Sequence, residues 1–448
     1  MSASNGLVVL PTVVSLSRTL ARLAIGLDKR PDLVAHLTRR ESNAGSDTAN
    51  EVTERVTLVE GSANVIRDAF TKCLSERSGN ASGVDSDGKP EGRRIGIYVT
   101  ANLCLKLFFH CKKLRNAEQM FGNIYQQSPP LALFPASQRV TFLYYLGRYH
   151  FANNHFHRAQ LALQAAYNQC HRRCSAQRRL TLIYLITSNI ILGRFPSPLL
   201  LKRPEARSLV MKFEPICQCI VKGDLATFRR LFDFNSDSAQ WYLGKRILLQ
   251  LSNRCEVLVW RSLARKTFLL SGTQGDASNK RAPTLDLQDM LILATFLERR
   301  ALGPDKSVTR APHTNSIFMS PTPMTQSEEQ EGYIDPDLAG AVEAGGPNLP
   351  SIATVESIVA SLVEQDLLHG FISHKSLRFA ITGAKTAGAL SAGFPRVWDV
   401  IKSKVDDEVP GWVQEPKSNG LGAPQGLRAG PGMVVNLSNA RPAGAAPA

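Results

Sequence analysis

Between Arg93 and Leu270 the sequence has almost no two-residue alternation of apolar and polar side chains, and this constrains the fold more than any other feature. Apolar residues recur there at three and four positions, the period of a helix with one buried face. The spacing predicts helices over 93–112, 114–127, 136–153, 155–173, 176–193, 206–222, 224–233, 238–251 and 255–271. Short breaks separate them: Ser128-Pro129-Pro130, Asn153-Asn154, Pro196-Ser197-Pro198, Gly223-Asp224 and 236–238. In one pair, Gly147, Ala159, Leu163 and Ala166 stand where the two helices of a tetratricopeptide-like hairpin pack closely. Only one clear copy exists, which predicts a helical stack rather than a regular repeat array.

Two further helices are expected in front, at 7–27 and 54–77, with a loop at 41–50 and a polar linker at 78–92. After Gly272 the spacing of Leu287, Leu291, Ala294 and Leu297 predicts a helix over 285–300, and a second follows at 355–368. Residues 371–381 alternate like a small hairpin. Helix, helix and two-stranded wing is the order of a winged-helix module. The expected fold class is therefore all-α: a right-handed stack of antiparallel helices closed by a C-terminal winged helix. The divisions are 1–77 as an N-terminal helical segment, 78–92 as linker and 93–271 as the stack. The winged-helix part covers 284–300 and 351–383, interrupted by a disordered insertion at 302–350 and followed by a disordered tail at 399–448.

Charge is unevenly placed. Of the net +15, residues 91–300 hold 31 Lys and Arg against 12 Asp and Glu, and no acid occurs between Glu118 and Glu205. Such a field attracts phosphates or an acidic peptide, whereas a merely solubilising surface mixes its signs. Arg139, Arg148, Arg172, Arg173, Arg178 and Arg179 are the candidate contacts for an acidic partner. The basic, aromatic-interleaved run 260–268 puts Arg261, Arg265 and Lys266 on a face away from Trp260, Leu263, Ala264 and Phe268. With His374, Lys375 and Arg378 of the hairpin, these three form a candidate nucleic-acid surface.

No catalytic residues, cofactor or metal site are expected. There is no Gly-Lys-Ser/Thr phosphate loop, nucleophile elbow or His-Glu metal helix, and Gly420-Leu421-Gly422 follows no strand. Cys170 and Cys174, four apart on a predicted helix, lack the second pair that zinc needs. The remaining cysteines, Cys73, Cys104, Cys111, Cys217, Cys219 and Cys255, fall mostly on apolar helix faces, where a thiol serves as a small hydrophobe. Residues 1–17 lack a basic n-region, and no apolar run of membrane-spanning length is expected, which points to a soluble, reducing compartment. Arg18 and Arg22, with no acid before Asp28, also fit a mitochondrial presequence, as Leu20, Leu23, Ala24 and Leu27 fit a packing helix.

Several blocks resemble a known family: 93–98 (Arg-Arg-Ile-Gly-Ile-Tyr), 102–106 (Asn-Leu-Cys-Leu-Lys), 114–121 (Leu-Arg-Asn-Ala-Glu-Gln-Met-Phe), 134–141 (Phe-Pro-Ala-Ser-Gln-Arg-Val-Thr) and 144–148 (Tyr-Tyr-Leu-Gly-Arg). Blocks 169–171, 192–196 and 370–374 follow in the same order. Together they resemble PCI-domain proteins of the signalosome subunit-twelve-like family, which includes the PCI subunit of the nuclear transcription-and-export complex two. The resemblance implies a scaffold that pairs with a larger PCI-type subunit and a small acidic peptide of the Sem/Dss type. It also implies juxtaposed winged helices that bind RNA and double-stranded DNA and couple transcription, including its elongation, to mRNA export. Residence in the nucleus follows, with the cytoplasm left open, and no membrane partner. The blocks are closer to the fungal signalosome-twelve-like branch, so a protein-binding role among signalosome subunits stands as the alternative. The 302–350 insertion and the long tail depart from the family pattern.

Overall fold

The computed structural model describes residues 6–33, 57–76, 84–85, 89–275, 281–302 and 350–412. The expected loop at 41–50, nearly all of the 302–350 insertion and the tail from 413 onward lie outside the described residues.

The front of the stack is α1 (Gly6–Asp28), which lays Leu10, Ser17, Ala21 and Ala24 against α2 (Leu58–Leu74) and α3 (Ile97–His110). By length and composition alone α1 could cross a bilayer, which corrects the expectation that no segment reaches that length. Thr57 caps α2 by accepting from the amide of Glu60. Next come α4 (Leu114–Gln127), α5 (Ala136–Ala152), α6 (Phe156–Gln169) and α7 (Ser175–Ile191), with α5 packed on α6 and α6 on α7. The predicted hairpin is present: a Cβ on Gly147 would stand 2.5 Å from Leu163 Cγ, so only glycine lets α5 and α6 approach this far.

The second half begins with the short α8 (Pro198–Leu201), then α9 (Val210–Lys222), α10 (Leu225–Phe232), α11 (Asp237–Gly244) and α12 (Leu248–Ser271). The sequence predicted helices over 238–251 and 255–271, but the break falls earlier. Arg246, at φ 56°, turns the chain in the left-handed region, and Ser252-Asn253 lies inside the continuous α12.

Strand β1 (Thr284–Asp286) leads into α13 (Leu287–Leu302), then α14 (Ile352–Glu364), β2 (Gly370–Ser373) and β3 (Arg378–Ile381). The sheet is antiparallel in the order β1, β3, β2, with Leu285 opposite Phe379 and Ile372 opposite the same residue. Helix, strand, two helices and wing make a winged-helix end, with a first strand that the sequence did not reveal. Two apolar cores run through the described residues: one under α1 to α6, the other from α5 to the sheet. The architecture is thus the expected all-α helical stack.

The predicted tail from 399 is corrected in its first part. Short turns α15 (Ala384–Ala387) and α16 (Ala389–Gly393) lead to α17 (Val397–Lys404), and residues 405–412 return to the first core, where Val409 is fully buried. Apolar Val409 and Trp412 give this segment side chains to bury against the first core.

Candidate nucleic-acid interface

Helix α12 positions the basic run. Trp260, Leu263, Ala264 and Phe268 are buried, as their spacing predicted, Thr267 is buried with them, and Arg265 and Lys266 are exposed. Glu256, which could have neutralised the run, instead binds Arg229 at 2.7 Å and accepts from Trp260 Nε1 at 3.4 Å.

Arg261 departs from its predicted role. Its guanidinium turns inward and donates to the carbonyls of Leu367, at 3.3 Å, Phe394, at 3.2 Å, and Pro395. Burial, and then repulsion from Arg265, hold its pKa below the usual arginine range. Those three carbonyls engage its Nε and Nη2, so Arg261, half-buried, fastens the winged-helix end to the stack.

Arg265 and Lys266 line a cleft of about 990 Å³ whose other wall includes Arg396, Val397, Trp398 and Asp399. Leu258, Val221, Leu269 and Phe195 supply apolar surface, and Asp399 is the only carboxylate among the lining residues. Arg194 lies 4.5 Å from the centre of the Trp398 ring, and His157 stands 5.8 Å from it. The exposed Phe195 offers a face to a stacking base. Sequence reasoning missed Arg194, Phe195, Arg396 and Trp398. The Arg-Phe and Arg-x-Trp pairings were visible, but nothing local showed that two segments two hundred residues apart would face α12.

The wing residues do not line this cleft. His374 Nδ1 is 2.7 Å from Glu356 Oε1, and Arg378 Nε is 3.7 Å from Asp286 Oδ2. Both belong to the turn and strand around β2 and β3 and, like Lys375, are exposed. The six predicted residues therefore divide three ways: Arg265 and Lys266 exposed in the cleft, Arg261 also lining it but tied to backbone carbonyls, and His374, Lys375 and Arg378 on the wing.

The arginines predicted to meet an acidic partner are also dispersed. Arg178 is buried: its Nε is 2.9 Å from Glu205 Oε1, and its Nη1 donates to the carbonyls of Tyr167 and Cys170 at 3.1 and 2.7 Å. Burial alone would raise the Glu205 pKa, but its own backbone amide, the Tyr167 hydroxyl and Arg178 outweigh it and hold the carboxyl below the usual range. Arg148 lies among Phe109, Tyr144 and Tyr184, 5.0, 5.7 and 4.7 Å from the ring centres. Arg139 donates to the carbonyl of Ala132 at 2.9 Å. Arg172, Arg173 and Arg179 stay exposed around the turn into α7. Packing of long basic side chains into helix junctions is invisible to a charge count.

Cys170 and Cys174 do not share a helix face, because α6 ends at Gln169; Cys170 is buried and Cys174 exposed. Among the described residues no three His, Cys, Asp or Glu side chains gather as a metal site would require. Burial pushes the Cys104 and Cys217 thiols up to about 12, which makes them packing groups rather than nucleophiles.

Sequence comparison supports the reading of the blocks. A PCI domain-containing protein of Schizosaccharomyces pombe is 31% identical over 262 residues, covering 58% of this chain and 54% of the relative. A protein named CSN12 homolog from Neurospora crassa is 29% identical over 252 residues, covering 54% and 52%. PCI domain-containing protein 2 of Danio rerio is 26% identical over 216 residues, covering 48% and 50%. No protein-family model matches the chain. The chain spans about half the length of these curated relatives. It is thus similar to PCI domain-containing proteins and CSN12 homologues over about half of its own length, with a helical stack and a winged-helix end among its described residues.

Proposed function

We propose that this chain is a non-enzymatic PCI-type scaffold subunit, resident in the nucleus, that holds protein partners and binds RNA or DNA while coupling transcription to mRNA export. The observation that carries the nucleic-acid part is the α12 cleft. Arg265, Lys266 and Arg396 surround apolar surface with one carboxylate in reach, the charge pattern of a phosphate-binding surface. The scaffold part rests on the similarity to PCI domain-containing proteins. Its partners in this reading are a larger PCI-type subunit and a small acidic peptide of the Sem/Dss type.

The test is binding of a fluorescein-labelled 20-nucleotide RNA by anisotropy across a salt series. Replacing Arg265, Lys266 and Arg396 with alanine is expected to weaken binding and to lower the log–log salt slope by roughly 2, from about 0.7 per phosphate contact on a single strand. An unchanged slope refutes the cleft. Affinity purification with and without nuclease, followed by mass spectrometry, is expected to recover a large export-type scaffold and an acidic peptide.

A second reading is a protein-binding subunit of a signalosome-like complex. Phe371 favours it: this phenylalanine is 57% exposed on β2, an edge strand that can pair with a neighbouring sheet. Recovery of signalosome subunits without the export-type scaffold supports that reading against the first.

A further inference from the structure

Helix α17 separates the α12 cleft from a second one of about 760 Å³, and both are lined by Leu258 and Val397. The second cleft has His155, Arg158 and Arg254 on the side of the stack, and Asp406 enters it from the C-terminal segment. Asp399 enters the first cleft in the same way. Each basic cleft is therefore met by a carboxylate carried on one short stretch of chain, which in the second cleft also brings Lys404, paired with Asp366.

That stretch is anchored at both ends, and between them it is held by half-buried Val397, Trp398 and Ile401 and by an exposed pair of Lys404 with Asp366 at 2.5 Å. At one end Arg261 fixes the carbonyl of Pro395. No residue of α17 is fully buried, and residues 405–408 are exposed. Asp407 Oδ1 lies 3.6 Å from His157 Nε2, and the Tyr125 hydroxyl donates to Glu408 at 2.7 Å. At the far end Val-Pro-Gly-Trp forms a turn in which the Trp412 amide donates to the Val409 carbonyl at 3.0 Å. Pro410 and Gly411, the latter at φ +97°, occupy the two central positions that such a turn selects. Val409 is buried in the first core, His150 Nε2 donates to the Pro410 carbonyl at 3.0 Å, and a Cβ on Gly411 would stand 2.9 Å from Leu146.

We propose that residues 397–412 are a displaceable acidic arm lying across the middle of one continuous basic groove, which a single-stranded nucleic acid enters when the 409–412 anchor releases. The arm's carboxylates stand in for phosphates while it is seated. Pro395 and Arg396 form the pivot, so Arg396 stays with the groove. A strand in the opened groove meets Arg158 and Arg254 as well as Arg265 and Lys266. This inference rests on reading the α12 cleft as a nucleic-acid interface.

The test uses the full chain, fluorescein-labelled 20-nucleotide poly(U) RNA, and the double substitution V409A/W412A, which loosens the anchor without altering any charge. Binding is expected to tighten at least about five-fold, with a salt slope steeper by about 1.4 as two further phosphates are engaged. Adding R158A/R254A is expected to remove that gain. Equal or weaker binding by V409A/W412A overturns the proposal. Should that variant fail to fold, amide exchange in the unaltered chain decides. Exchange of the Trp412 amide well before the centre of α5 supports the arm, whereas exchange only on global unfolding refutes it. If R265A/K266A leaves the binding of the unaltered chain untouched, the functional reading itself fails. If that pair weakens binding but V409A/W412A does not tighten it, the arm alone fails.

Discussion

His150 is a base that the fold keeps neutral. Burial pushes its pKa down to about 4, the Pro410 carbonyl partly opposes this, and Arg158 and His155 add repulsion. The folded value lies below the 6.5 of a free histidine, so the unfolded chain binds the extra proton below pH 6.5. The linked stability is whole above pH 6.5 and is lost as pH falls toward 4, about 3 kcal/mol in full at about 1.4 kcal/mol per unit. Urea unfolding at pH 7 and 4.5 is expected to show that loss, and His150→Gln, which keeps a donor for Pro410, to reduce it. The same pH dependence in both proteins would place its origin elsewhere. Nothing local in the sequence separates His150 from the exposed His155; the carbonyl that fixes it lies 260 residues away. Gly147 was legible because its partners, Ala159 and Leu163, sit on the next helix at a fixed offset.

At the scale of the element, α12 shows what periodicity can and cannot settle. It assigned Trp260, Leu263, Ala264 and Phe268 to the buried side correctly, since that division depends only on helical spacing. It also gave Arg261 and Arg265 the same role, four apart, because the carbonyls that take up Arg261 come from loops after α14 and α16. Their substitutions are expected to separate cleanly. Arg261→Ala, by stranding buried carbonyls, destabilises by about 2 kcal/mol in denaturant melts and leaves the RNA salt slope as it was. Arg265→Ala lowers the slope by about 0.7 and leaves stability within about 0.5 kcal/mol. If both variants lose stability alike, α12 presents no separate binding face.

For the whole molecule, the all-α stack was readable because its helices are closed by local contacts, while the three-residue β1 was not, since its partner strand lies almost a hundred residues further on. Charge was readable as a total and misleading as a map: Arg178 and Arg148 went into the packing, and the carboxylates in the two clefts, Asp399 and Asp406, came from a segment read as tail. The sheet has a further consequence. Because β1 pairs with β3 and α13 packs on α14, the chain on either side of residues 303–349 is held by contacts among the described residues alone. Lengthening a flexible connection between fixed ends costs only about 0.6 kcal/mol for each doubling of its length. A fluorescent protein spliced between 302 and 350 is therefore expected to leave the urea midpoint nearly unchanged, because the flanking contacts persist without the inserted chain.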